Sequence, residues 1–152
     1  MWLTKKVLVA TDFGEPSKAA ADVGFELAQS FHVPLALVHT YFIPTDVYAG
    51  IPFAATTDYV HAYEEAARES LEKERARIAA KGGEVSAVLR AGVAWREIFS
   101  TAKEVDAGLI VVGTHGRHGL PRALLGSVAE RVVRLSAIPV LTVHAGPAPH
   151  TE

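Results

Sequence analysis

Apolar residues along this chain follow two rhythms. Short runs such as Val7–Ala10, Leu35–Val38 and Leu109–Val112 are apolar without interruption, as strands buried on both faces require. Between them lie longer stretches in which apolar positions recur every three or four residues, the signature of a helix laid on a sheet. Lys5–Ala10 reads as a first strand, and Pro16 suits the first turn of the helix after it. From Ser17 to Phe31 the apolar stripe is Ala20, Val23, Gly24, Leu27, Ala28 and Phe31. Leu35–Val38, running into His39-Thr40-Tyr41, is a second strand. A long charged helix is predicted over Thr57–Lys81, with Tyr63, Ala66, Ala67, Ser70 and Leu71 facing inward and Gly82-Gly83 stopping it. Its pairs Glu64–Arg68 and Glu69–Lys73 stand in the favourable i,i+4 order, and its charges read as a solvated face. Glu84–Leu89 alternates as a strand with one less buried face. Ala94–Glu104 is a helix with Ile98 and Ala102 inward. Leu109–Val112 is the fourth strand, and Ser127–Leu135 a helix that turns Ala129, Val132 and Val133 inward. Val140–His144 is a fifth strand. Strands alternating with helices predict an α/β protein with a parallel sheet, helices on both faces and right-handed crossovers.

Two segments break the rhythm. Residues 42–56 hold Pro44, Gly50 and Pro52 among large apolar side chains, and read as a lid, a partner surface or a satellite core. The tail, Ala145–Glu152, is expected to be unstructured.

The candidate chemistry lies where the fourth strand ends. Gly113, Gly116 and Gly119 follow it at intervals of three, and Gly126-Ser127 opens the next helix. Glycine at a strand end lets an anion approach main-chain N–H groups, and a helix start adds free N–H donors and the positive end of its dipole. The pattern is a phosphate cradle, but neither common version of one. No lysine follows Gly126, so the loop that grips β/γ-phosphates is absent, and the glycine spacing is not G-x-G-x-x-G. It is G-x2-G-x9-G-S, through Gly113, Gly116, Gly126 and Ser127.

That motif, continuing through Ser127-Val-Ala-Glu-Arg to Pro139-Val-Leu-Thr-Val, resembles the ATP-binding branch of the universal stress protein family. Gly92-Val-Ala-Trp-Arg-Glu-Ile also resembles a turn of that family, with Ala94 in place of a proline. The resemblance covers residues 5–144 and implies a three-layer, open, five-stranded parallel sheet, Rossmann-like, with strand order 3-2-1-4-5. In such a sheet the ligand sits at the carboxyl ends of the strands where the order reverses, which sets Thr11-Asp12 opposite Gly113-Gly116.

The resemblance implies that Gly113, Gly116, Gly126 and Ser127 hold a triphosphate, with main-chain N–H groups of Val128 and Ala129 beside them. It gives Asp12 the ribose hydroxyls; the competing role for Asp12 is to cap the following helix. Ala10 and Thr11 line the same wall, the backbone of Thr40 reads the adenine edge, and Val112 is apolar lining. Arg117 either contacts a phosphate or is solvated. Magnesium arrives with the triphosphate; no metal site is expected from the protein, since His115 and His118 have no carboxylate or cysteine nearby. His39 reads as a hydrogen-bonded core histidine. AMP and cyclic AMP are alternatives to ATP.

Composition narrows the rest. The chain has 152 residues, which fits one domain, no cysteine, and a formal charge of −2, with no basic surplus for nucleic acid. The apolar run at the N-terminus is too short for a membrane span, so a cytoplasmic protein is expected. The absence of a Walker lysine and of an evident base favours a regulatory ATP-binding module with negligible or slow hydrolysis over an ATPase or autophosphorylating enzyme. The final strand, 140–144, lies at a sheet edge by the family's order, and the resemblance implies an antiparallel homodimer through it.

Overall fold

A computed structural model describes residues 4–43, 50, 53–115 and 125–146, with the backbone alone for 53–56. Nine elements alternate along the chain: β1 (Lys6–Ala10), α1 (Glu15–Phe31), β2 (Leu35–Tyr41), α2 (Phe53–Ala79), β3 (Val85–Ala91), α3 (Ala94–Glu104), β4 (Ala107–Gly113), α4 (Ser127–Leu135) and β5 (Val140–Val143). The sheet is parallel throughout, in the order β3-β2-β1-β4-β5. Fold class and strand order are those expected from the sequence.

Alternation along the strands divides the core in two. Val7, Val9, Leu35, Leu37, Leu109 and Val111 face α1 and α2, where Phe25, Leu71 and Ile78 meet them. Leu8, Ala36, Val38, Ile110 and Val112 face the other way, onto Ile98 and Ala102 of α3 and Ala129 and Val132 of α4. Each apolar run therefore feeds two cores, which is why no polar residue interrupts it.

The helices differ from expectation in which face they bury. On α1 the buried residues are Ser17, Ala20, Ala21, Gly24, Phe25 and Ala28, while Val23, Leu27 and Phe31 are half-buried. The small side leads because the helix lies close to β1: a Cβ on Gly24 would stand 2.6 Å from Val9 Cγ2. On α2 the predicted stripe is displaced. Tyr63 and Ala66 are exposed, Ala67 and Ser70 half-buried, and the deep residues are Leu71, Glu74 and Ile78. The C-terminal half of α2 is the part bedded on the sheet. Val133 of α4 is exposed, leaving Ala129 and Val132 inward.

Boundaries move as well. α2 begins at Phe53, inside the stretch read as a loop, and 44–49 and 51–52 of that stretch lie outside the described residues. β3 runs to Ala91, β4 starts at Ala107, and β5 ends at Val143, one residue before His144. Most of the tail, 147–152, is outside the described residues.

An ion network ties α2 to α1. Arg77 donates to Glu74 (2.9 and 2.7 Å) and to Asp22 (2.9 Å), and Lys81 donates to Asp22 (2.6 Å). Burial pushes the Asp22 carboxyl up, but the hydrogen bonds from Lys81 and Arg77 outweigh it and hold the group below its ordinary range. Glu64–Arg68 (2.8 Å) and Glu69–Lys73 (3.8 Å) form as the spacing predicts, on the exposed side.

Candidate functional site

The order of the sheet reverses between β1 and β4, so their crossovers leave in opposite directions and a crevice opens beyond their carboxyl ends. Its first wall is the turn from β1 into α1. Thr11 is buried and continues the sheet through its N–H to Val38 O (2.9 Å). Asp12 Oδ1 accepts from the Gly14 N–H (2.9 Å) and the Ser17 hydroxyl (2.7 Å). Gly14 is the N-cap of α1 and offers no side-chain cap, so Asp12 performs that job from two residues upstream. The turn is braced by His39, whose Nδ1 lies 2.7 Å from Thr11 O and whose ring packs on Phe13 with centroids 4.3 Å apart and planes tilted by 38°. His39 is thus half-buried and hydrogen-bonded, in keeping with a structural histidine.

The second wall is the end of β4 and the start of α4. Thr114 is buried; its N–H reaches Val143 O (3.0 Å) and its carbonyl accepts from the Gly126 N–H at 2.6 Å. That bond brings the two ends of the glycine loop together. Gly126 is the N-cap of α4 and has no side chain with which to cap it, so among the described residues no side-chain cap serves the first turn of α4. Gly113 has a second reason to be glycine: a Cβ there would lie 2.7 Å from the Pro16 carbonyl carbon and 2.8 Å from Pro16 Cβ. The end of β4 touches the start of α1 too closely for any side chain.

Between the walls is a cavity of about 280 Å³, at the small end of the range for small-molecule sites. Ala10, Thr11, Asp12 and Thr40 line it from β1 and β2, and Val112, Gly113, Gly126, Ser127, Val128 and Ala129 from β4 and α4. Every nominated site residue that is described lines this one cavity. Gly116 and Arg117 lie outside the described residues.

Sequence reasoning missed Ser17, Val38, Ala94, Ile98, Thr114 and His115, which also line it. Val38 was within reach, since it stands two residues before Thr40 and so on the same face of β2. Ala94 and Ile98, about one helical turn apart on α3, are themselves apolar and so carry no chemical signal of a site. Among the described residues no three His, Cys, Asp or Glu side chains gather closely enough to hold a metal ion. No described helix is long and apolar enough to cross a membrane.

A parallel sheet wound in both directions, with a crevice at its switch point rimmed by the start of α4, defines a three-layer Rossmann-like α/β protein. Comparison with known proteins narrows this. The model of the universal stress protein family matches residues 4–144. Universal stress protein MJ0531 of Methanocaldococcus jannaschii is 32% identical over 142 residues, covering 93% of this chain and 82% of that one. Universal stress protein YxiE of Bacillus subtilis is 33% identical over 144 residues, covering 91% and 97%. Among solved structures, that of MJ0577, a protein whose structure served to assign its biochemical function, superposes with a TM-score of 0.78 at 25% identity over 96% of this chain and 99% of that one. A universal stress protein solved in complex with cAMP superposes with a TM-score of 0.67 at 27% identity over 94% and 98%. This chain belongs to the universal stress protein family.

Proposed function

We propose that this chain binds an adenine nucleotide, ATP with its magnesium, in the crevice between β1 and β4, and works as a small cytoplasmic regulatory module in a stress response. The observation that carries the reading is convergence: residues nominated from both ends of the sequence line one cavity at the switch point. The related structure holding cAMP supports an adenine ligand.

In this reading the main-chain N–H groups of Ser127, Val128 and Ala129, with the Ser127 hydroxyl, hold phosphate oxygens at the start of α4. Gly113, Gly116 and Gly126 allow the backbone to approach, and Arg117 adds a charge-assisted contact. Val112 and Val38 flank the base, the Thr40 backbone reads its edge, and Asp12 accepts from ribose while capping α1. Magnesium neutralises phosphate charge and comes with the nucleotide; the described walls offer it no cluster of ligands. The domain acts as one unit and pairs with a second copy through β5.

Mg-ATP at about 100 times Kd is expected to stabilise the protein by about 2.7 kcal/mol, read as a rise in melting temperature. The same mixture should release phosphate far more slowly than the ~10 s⁻¹ of a median enzyme. Absence of any shift with ATP, AMP or cAMP defeats the binding proposal, and turnover near that rate makes the protein an ATPase instead.

Asp12 can be divided between its two jobs. Asp12→Ala removes an acceptor of two hydrogen bonds and should cost about 1.5–3 kcal/mol in urea unfolding without nucleotide. Asp12→Asn keeps a carbonyl oxygen for Gly14 and should hold most of that stability, yet bind ATP more weakly. Equal ATP affinity in Asp12→Asn and wild type would leave Asp12 a cap alone.

A further inference from the structure

α3 and α4 lie on the face of the sheet opposite α1 and α2, and the groove between them gathers one sign of charge. Trp95 of α3 is half-buried against the core, with Phe99 edge-on to it and ring centroids 6.1 Å apart. Two guanidinium groups lie over its indole: Arg96, at 5.0 Å from the ring centre, and Arg131 of α4, at 5.7 Å. The contact from Arg131 fixes which sides of the two helices face each other. On α3 that side continues through Trp95, Phe99 and Lys103 at steps of four residues. On α4 it continues through Val128, Arg131 and Leu135, and both of the apolar members are exposed.

The carboxylates of both helices are engaged elsewhere. Glu104 pairs with Arg90, Glu130 with Arg134 at 3.3 Å, and Glu97 reaches back to Gly92. Arg96, Lys103 and Arg131 are exposed and have no carboxylate within ion-pair distance among the described residues. In a chain of formal charge −2, these three cations border one apolar strip. Contact with the indole restrains each guanidinium and leaves N–H donors free, so a carboxylate can be bound at a reduced entropic cost.

We infer that the groove between α3 and α4 docks an acidic segment of a protein partner, its carboxylates on Arg96, Arg131 and Lys103 and an apolar side chain on Trp95. α3 has 11 residues, so the groove is about 16 Å long, which suits one short segment and a weak, reversible contact. A nucleic-acid strand or an anionic membrane presents a longer run of negative charge than three cations neutralise, and the chain as a whole is acidic. A short acidic segment meets the groove alone. The groove is distinct from the nucleotide cavity, to which α3 turns Ala94 and Ile98 instead; Val128 borders both.

The test uses the full chain without nucleotide and a labelled peptide as long as α3, in which glutamates are interleaved with leucines. Fluorescence anisotropy should show saturable binding below about 1 mM, weakened by salt. The same peptide with glutamine for every glutamate should not bind. In a Trp2→Phe chain, Trp95 is the single tryptophan, and its emission should move to the blue as the peptide covers it. Arg131→Glu should weaken binding about tenfold or more, because it sets like charges together. Its melting temperature should stay near that of wild type, since the side chain is exposed. Lys73→Glu makes the same change of charge on α2 and should leave the affinity within about twofold. No saturable binding below about 1 mM, an unmoved Trp95 emission, equal binding of the glutamine peptide, or equal losses in Arg131→Glu and Lys73→Glu would each overturn the docking site. Tighter binding of a single-stranded oligonucleotide or of phosphatidylserine vesicles than of the peptide would overturn the acidic segment as its occupant.

Discussion

Gly113→Val is expected to destabilise the protein by about 3 kcal/mol or more and to abolish the thermal response to ATP. The cause is steric and begins at Cβ, 2.7 Å from the carbonyl carbon, 2.8 Å from Cβ and 2.9 Å from the carbonyl oxygen of Pro16. These atoms cannot swing aside. Pro16 is held by its own ring and sits in the first turn of α1, within the segment closed by the hydrogen bonds of Gly14 and Ser17 to Asp12. Valine is otherwise favoured in strands, so propensity predicts the opposite sign. Relief requires either α1 or the end of β4 to move, and each is a wall of the cavity. Gly113→Ala should already show much of the loss, because the conflict lies in the first carbon. Urea unfolding without nucleotide measures the cost, and melting with and without Mg-ATP measures the site; each kcal/mol is roughly 2–4 °C in a chain of this size. Wild-type stability in Gly113→Ala would show that β4 and Pro16 do not meet as described.

Thr142→Pro is expected to halve the mass of the particle in solution while leaving the chain folded. β5 closes the sheet order, and no strand pairs with its outer side among the described residues. Its register shows which groups face outward. Ile110 donates to Pro139 O and Thr114 to Val143 O, both at 3.0 Å, so residues 139 and 143 turn their main chain toward β4. Alternation places Leu141 with them and sends the N–H groups of Val140 and Thr142 outward. An unprotected edge pairs readily with a second copy across a two-fold axis. Proline at 142 removes an outward donor and is tolerated on an edge strand. Proline at 141 removes an inward donor and should unfold the end of the sheet instead. Light scattering at micromolar concentration distinguishes these outcomes. A wild-type particle of one chain, or a dimer that survives Thr142→Pro, would refute pairing through β5.

α3 and α4 match their predicted spans residue for residue, Ala94–Glu104 and Ser127–Leu135, because each has a turn before it and a clear amphipathic period. α2 does not: its start at Phe53 lies among prolines and aromatics that read locally as a loop, and its charged sequence carries little period to locate its buried side. On α1 the large apolar residues suggested the wrong centre for the buried face. Depth there is set by how near the helix lies to β1, a distance no local pattern contains.

By itself the sequence determined the class of fold, the order of its elements, and the two strand ends that bear the candidate chemistry. These are consequences of period and of glycine and proline placement, which act over a few residues. The tertiary structure alone decided which distant residues share a wall. Pro16 is the reason Gly113 tolerates no Cβ, Val38, Ala94 and Ile98 complete the cavity, and His115 is left with both nitrogens buried and unpartnered among the described residues. Each of those facts joins residues on separate elements. Packing sets them, and the periodicity of one segment holds no information about the distance to another.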